Sequence, residues 1–128
     1  MDASAVDHKA AYETVRLVRQ HFGKPVVSPF TFIIANYLFG KHIKDKEQHR
    51  KKMQFVFSGF VVTATDPSFA DAVFNSPFLD LEDGAQYHCA KNARAALIVT
   101  KDVHDYFPSE IPIIHPQDFV NRYNHLFQ

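Results

Sequence analysis

Short apolar runs set apart by helix-length segments constrain this chain more than any other feature. Pro25-Val26-Val27, Phe60-Val61-Val62-Thr63, Ala95-Ala96-Leu97-Ile98-Val99 and Ile111-Pro112-Ile113-Ile114 read as strands. Pro112 points to an edge position, because proline cannot donate to a ladder. Between the runs, apolar residues recur at helical spacing. Asp7 is expected to cap a helix over 8–20, with Ala11, Val15, Val18 and Phe22 on one face and Gly23-Lys24 at its end. Ser28-Pro29 reads as an N-cap followed by proline in the first turn. The helix that follows, to about Phe39, is apolar nearly all round, which predicts deep burial, and Gly40 is its expected stop. A third helix is expected over 41–52, its end giving Met53, Val56 and Phe57 to the core. Asp66-Pro67 opens a short helix through Val73, and Asn75-Ser76-Pro77 breaks it. Asp80 caps a helix to about Asn92, and Pro116 begins a last one carrying Phe119, Tyr123 and Leu126.

Strands alternating with longer helices predict an α/β domain: a mainly parallel central sheet with helices on both faces, three layers in all. Right-handed crossovers then place the functional edge at the carboxyl ends of the strands. A length of 128 residues suits a single domain, 1–128. The formal net charge is zero, so any attraction for nucleic acid must come from a local patch. The lone Cys89 excludes an internal disulfide and fits a reducing compartment. No apolar run reaches spanning length, and the start lacks a basic-then-apolar leader pattern, so a cytoplasmic protein without membrane contact is the expectation.

Two acidic stretches carry the chemistry. Asp80, Glu82 and Asp83 stand at a helix start, and Asp102 and Asp105 follow an apolar strand. Carboxylates from a helix start and a strand end can converge in an α/β fold, and a hard cation between them relieves their repulsion. Each group also has a purely structural reading. Asp80 and Asp83 are spaced as a cap and its third residue, and Asp102 and Asp105 are ordinary turn formers. The eight histidines show no zinc spacing, though His88 and His104 are within reach of the acids. The basic run Lys41, His42, Lys44, Lys46, His49, Arg50, Lys51 and Lys52 reads either as a solvated face broken by Asp45 and Glu47 or as an RNA phosphate contact. Cys89 reads as a core residue.

These stretches also carry a resemblance. Phe78-Leu79-Asp80-Leu81-Glu82-Asp83-Gly84-Ala85-Gln86-Tyr87 resembles the "DFEDAxQY" segment of bacterial PIN-domain proteins. The stretch from Ala96 to Tyr106 is similar to their "xxIVTRNxxDF", and that from Ile111 to Phe119 to their closing "IPVLSPEEF". Val27-Ser28-Pro29-Phe30-Thr31 fits their "VSALT" helix start more loosely. The resemblance implies a three-layer PIN-like fold and a metal-dependent endoribonuclease, with Mg2+ or Mn2+ as cofactor and RNA as substrate. It further implies the toxin half of a toxin–antitoxin pair, an antitoxin protein as partner, and a homodimer. Asp83 matches the acid of the central helix. Asp102 and Asp105 match the acids after the fourth strand, and all three are the expected catalytic and metal-binding residues. Thr100 matches a supporting hydroxyl at the strand end, and Glu82 an outer group. Lys101 is the expected contact to the scissile RNA strand.

The chain departs from that pattern in two places. The family's first strand ends in an aspartate motif, "DTNVLLD", at the centre of the sheet; here only Asp2-Ala3-Ser4 remains as a vestige. Ile34 stands where relatives carry Asn or Glu. The alternative expectation is therefore a catalytically impaired PIN-like module that binds protein or RNA. If the first strand is missing, the sheet has an open slot that another strand would fill. An unrelated α/β phosphoryl-transfer domain is a third reading, without a Gly-rich phosphate loop to support it.

Overall fold

The computed structural model describes residues 3–124, with side chains from residue 8 onward. Asp2 and Leu126 lie outside the described residues. The order of elements is α1 (Ala3–His21), β1 (Val26–Val27), α2 (Pro29–His42), α3 (Lys46–Phe57), β2 (Val61–Val62), α4 (Phe69–Phe74), α5 (Leu81–Asn92), β3 (Ile98–Val99), a 3-10 helix (Val103–Tyr106), β4 (Ile113–Ile114) and α6 (Pro116–Tyr123). The chain is mixed α/β and mostly helical.

All strand pairing is parallel, as the alternation predicts. The expected single sheet is nevertheless divided. β1 pairs with β2, and β3 pairs with β4, as two separate two-stranded ladders. Val61 and Thr63 donate to the carbonyls of Pro25 and Val27, and Ile98 and Thr100 donate to those of Pro112 and Ile114. In a parallel ladder alternate residues face the partner strand. The backbones of Val26 and Val99 therefore point away from their partners, and among the described residues no strand joins the two pairs.

Helices hold the two pairs in one body. α1 spans them: the Thr14 hydroxyl lies 3.4 Å from the carbonyl of Pro116, just past β4, and Arg19 Nε donates to the carbonyl of Gly59, just before β2, at 3.1 Å. α5 does the same from another side. Its Tyr87 joins Phe78 and Tyr106 in an aromatic cluster against Ile98, Ile111 and Ile113, while its Cys89 is buried beside Thr63, just past β2. Burial pushes the Cys89 thiol up, against a smaller opposing effect of the Thr63 hydroxyl, so it stays a neutral core group.

Local signals explain most boundaries. Ser28 caps α2, its hydroxyl accepting from the Thr31 amide, with Pro29 in the first turn. Asp80 caps α5. Asp66 accepts from the Ser68 amide and hydroxyl and sets up α4, which begins at Phe69.

Other expectations are corrected. α1 begins at Ala3, so Asp7 lies inside it rather than capping it. Among its described side chains the buried ones are Ala10, Thr14 and Leu17, whereas Ala11 is exposed and Phe22 is 60% exposed. The small side chains of Ala10 and Thr14 let α6 approach closely, which periodicity alone did not reveal. α2 runs past Gly40 to His42, because one helical glycine costs only about 1 kcal/mol. α3 starts at Lys46, where Asp45 accepts from the Gln48 amide, and not at Lys41. The predicted deep burial of α2 is overturned. None of its residues is buried, and Ile33, Ile34, Tyr37 and Leu38 are exposed. The helix meets α3 on one side, through Phe32 on Phe57 at 4.9 Å and His49 Nε2 against the Asn36 carbonyl at 3.1 Å. Its second apolar stripe has no neighbour among the described residues to cover it.

Candidate active site

The acidic residues lie where α5 begins and in the loop after β3 ends. Asp80 Oδ1 accepts from the Asp83 amide at 3.0 Å, which fixes the first turn of α5. Carboxylates near a helix N-terminus also oppose its dipole, so Asp80, Glu82 and Asp83 are locally favourable there. Past β3, the Thr100 hydroxyl accepts from the Asp102 amide at 3.1 Å. That bond turns the chain into the 3-10 helix, with Asp102 as its N-cap and Asp105 inside it. Asp105 then donates its amide to the Asp102 carbonyl at 3.0 Å. Thr100 thus orients the loop that carries both acids.

Tyr106 ends the 3-10 helix and packs in the core. It is 7% exposed, and its ring meets Phe78 at 5.5 Å in an edge-on contact. Burial, and then the charges of Asp83, Asp102 and Glu82, hold the phenol far above its ordinary pKa, so it remains a donor.

The electrostatics record the convergence. Partial burial raises the Asp83 pKa most, followed by the charges of Asp80, Asp105, Glu82 and Asp102. Acids from α5 and from the loop after β3 therefore act on one another despite their distance in sequence. Asp102 and Asp105 are exposed, as are Glu82 and Lys101, and Lys101 lies next to Thr100 in that loop. Of the residues expected in the site, Asp102, Asp105 and Glu82 come within electrostatic reach of Asp83, and the Thr100 hydroxyl holds the turn at Asp102.

His88 does not join the acids. Its Nε2 stands 3.0 Å from Asn92 Nδ2 and 3.9 Å from Asp66 Oδ2, and its ring packs on Phe69. His104 is exposed on the 3-10 helix. The basic run on α3 is solvated, with a loose Lys51–Glu47 pair at 3.8 Å.

The acidic side chains offer only carboxylate oxygens, the donor type a hard divalent ion takes. The raised Asp83 pKa marks a place where added positive charge is favourable. Among the described residues no three His, Cys, Asp or Glu side chains stand as a ready-made metal group. Mg2+ retains several waters and is commonly held by one or two carboxylates together with substrate phosphates.

Comparison with family models, with curated proteins and with solved structures finds no match. No helix among the described residues is long and apolar enough to cross a membrane.

Proposed function

We propose that this chain is a PIN-like, metal-dependent endoribonuclease of the toxin type, cutting RNA phosphodiester bonds at the acidic cluster with Mg2+ or Mn2+. The reading is carried by one observation: Asp83 interacts electrostatically with Asp102 and Asp105, which come from a different element. Asp83, Asp102 and Asp105 would hold the ion, which supplies stabilisation of phosphoryl charge and activation of water. Thr100 fixes the turn that presents Asp102. Lys101, exposed beside them, offers a cation to the RNA backbone. In this reading the two strand pairs are the flanks of one three-layer PIN-like sheet. The exposed stripe of α2 faces a second copy or an antitoxin protein, and the protein works in the cytoplasm. The test is cleavage of RNA with Mn2+ by the wild type and by Asp83→Asn. Loss of at least tenfold in rate in the variant supports the assignment; equal rates remove Asp83 from the mechanism.

A second reading has its own support. The described acids form no three-carboxylate group, and Ile34 supplies no polar contact. On this reading the chain is an impaired PIN-like module that binds RNA or protein without cutting. Failure to bind Mn2+ at millimolar concentration in calorimetry would favour it.

A further inference from the structure

We propose that the groove between α2 and α3 binds single-stranded RNA, taking one unstacked base on Phe32 and the adjoining phosphates on Arg50 and Lys46. The groove has a volume of about 480 Å³ and is lined by Phe32, Met53 and Phe57 together with the exposed Asn36, Arg50 and Gln54. Its walls are held in place. Phe32 packs on Phe57 at 4.9 Å, and His49 Nε2 meets the Asn36 carbonyl at 3.1 Å. A preformed site spares binding the cost of ordering it. Phe32 remains 37% exposed, so its ring is open to a stacking base. The polar half of the lining is unspent: among the described residues the side chains of Asn36, Arg50 and Gln54 make no hydrogen bond or ion pair. Side-chain amides present donors and acceptors together, which suits the edge of a base, and a guanidinium suits a phosphate. Charge selects the partner. Over residues 41–52 six Lys or Arg stand against only Asp45 and Glu47, in a chain whose formal net charge is zero. Lys46 lies one helical turn before Arg50, on the same side of α3, and both are exposed. A polyanion gains from that surplus, whereas an apolar protein segment would leave the guanidinium and two amides unmatched. A base enters a protein groove only when it is unstacked, which points to a single strand. The choice of RNA over DNA rests on the ribonuclease reading above; the groove itself does not.

The test is fluorescence anisotropy of a labelled oligoadenylate RNA with the full chain in EDTA, where no metal-dependent cleavage interferes. Wild type, Phe32→Leu and Arg50→Gln are compared over a range of salt concentrations. The wild type is expected to bind, with an affinity that falls as salt rises. Phe32→Leu keeps the apolar filling but removes the stacking face, and weakens binding about tenfold with the salt slope unchanged. Arg50→Gln weakens binding and lowers the slope of log affinity against log salt by about 0.7, the share of one phosphate contact. No binding by the wild type overturns the proposal, as do unchanged affinities in both variants. Should Phe32→Leu fail to fold, Arg50→Gln, at an exposed position, decides alone. Oligodeoxyadenylate bound more tightly than the RNA overturns RNA as the occupant. A dimer in RNA-free sedimentation that Phe32→Leu dissolves assigns the groove to a second copy and overturns the proposal as well. Binding in EDTA by a wild type that cuts no RNA with Mn2+ upholds the groove while the nuclease reading falls. Mn2+-dependent cleavage with binding unchanged in both variants does the reverse.

Discussion

Asp83 is placed by the cap at Asp80, whose carboxylate accepts from the Asp83 amide. Its folded-state pKa lies above the ordinary carboxylate value of about 4. The native state therefore holds its proton to higher pH than the unfolded chain does. Between the unfolded and the native pKa, stability falls as pH rises, and above both the ionised group is a net liability in the absence of metal. Asp83→Asn should thus raise the urea midpoint at pH 7 without metal and flatten the fall through that acidic window. Unfolding curves from pH 4 to 7 check this; a lowered midpoint at neutral pH would contradict it. In the sequence, the acid spacing and the cap at Asp80 were visible. That Asp102 and Asp105 would come near enough to raise the Asp83 pKa was an expectation of the α/β pattern and of the resemblance.

At the level of elements, close approach decides the α4–α5 contact. A Cβ added at Gly84 would lie 2.9 Å from Ser76 Oγ and 3.3 Å from Val73 Cγ1. Ser76 Oγ already accepts from the Phe78 amide, so turning it away loses that bond. Gly84→Ala gains about 1 kcal/mol of helix propensity, but overpacking costs about 1–3 kcal/mol. The expected outcome in chemical denaturation is a net loss of about 1 kcal/mol. The strand pairs are weak elements by comparison. Two-stranded units are marginal alone, and Val26, Val61 and Val62 are all 40% or more exposed. Hydrogen exchange should find the Val61 and Thr63 amides opening well before those of α1 around Leu17. Strand positions and parallel direction were legible because β-branched runs alternate with helical ones. The division into two pairs was not, since pairing depends on neighbours that a local pattern does not contain.

Over the whole molecule, apolar surface is distributed unevenly. α2 presents Ile33, Ile34, Tyr37 and Leu38 to solvent as one stripe, with Lys41 stacked over Tyr37 at 4.6 Å. Contiguous exposed apolar surface marks an interaction site. Sedimentation should show concentration-dependent self-association that Ile34→Glu with Leu38→Glu removes; a monomer at all concentrations in the wild type would contradict it. The burial predicted for α2 failed for a physical reason: all-round apolarity shows that a helix needs cover, but not whether its own chain supplies it.

The central claim is that carboxylates from α5 and from the loop after β3 act together on one divalent ion. Calorimetric titration with Mn2+ at neutral pH tests it most directly, comparing wild type with folded Asp83→Asn and Asp102→Asn. The account predicts saturable binding in the wild type that either substitution weakens by at least tenfold. Identical heats in all three proteins, or none in the wild type, would contradict it.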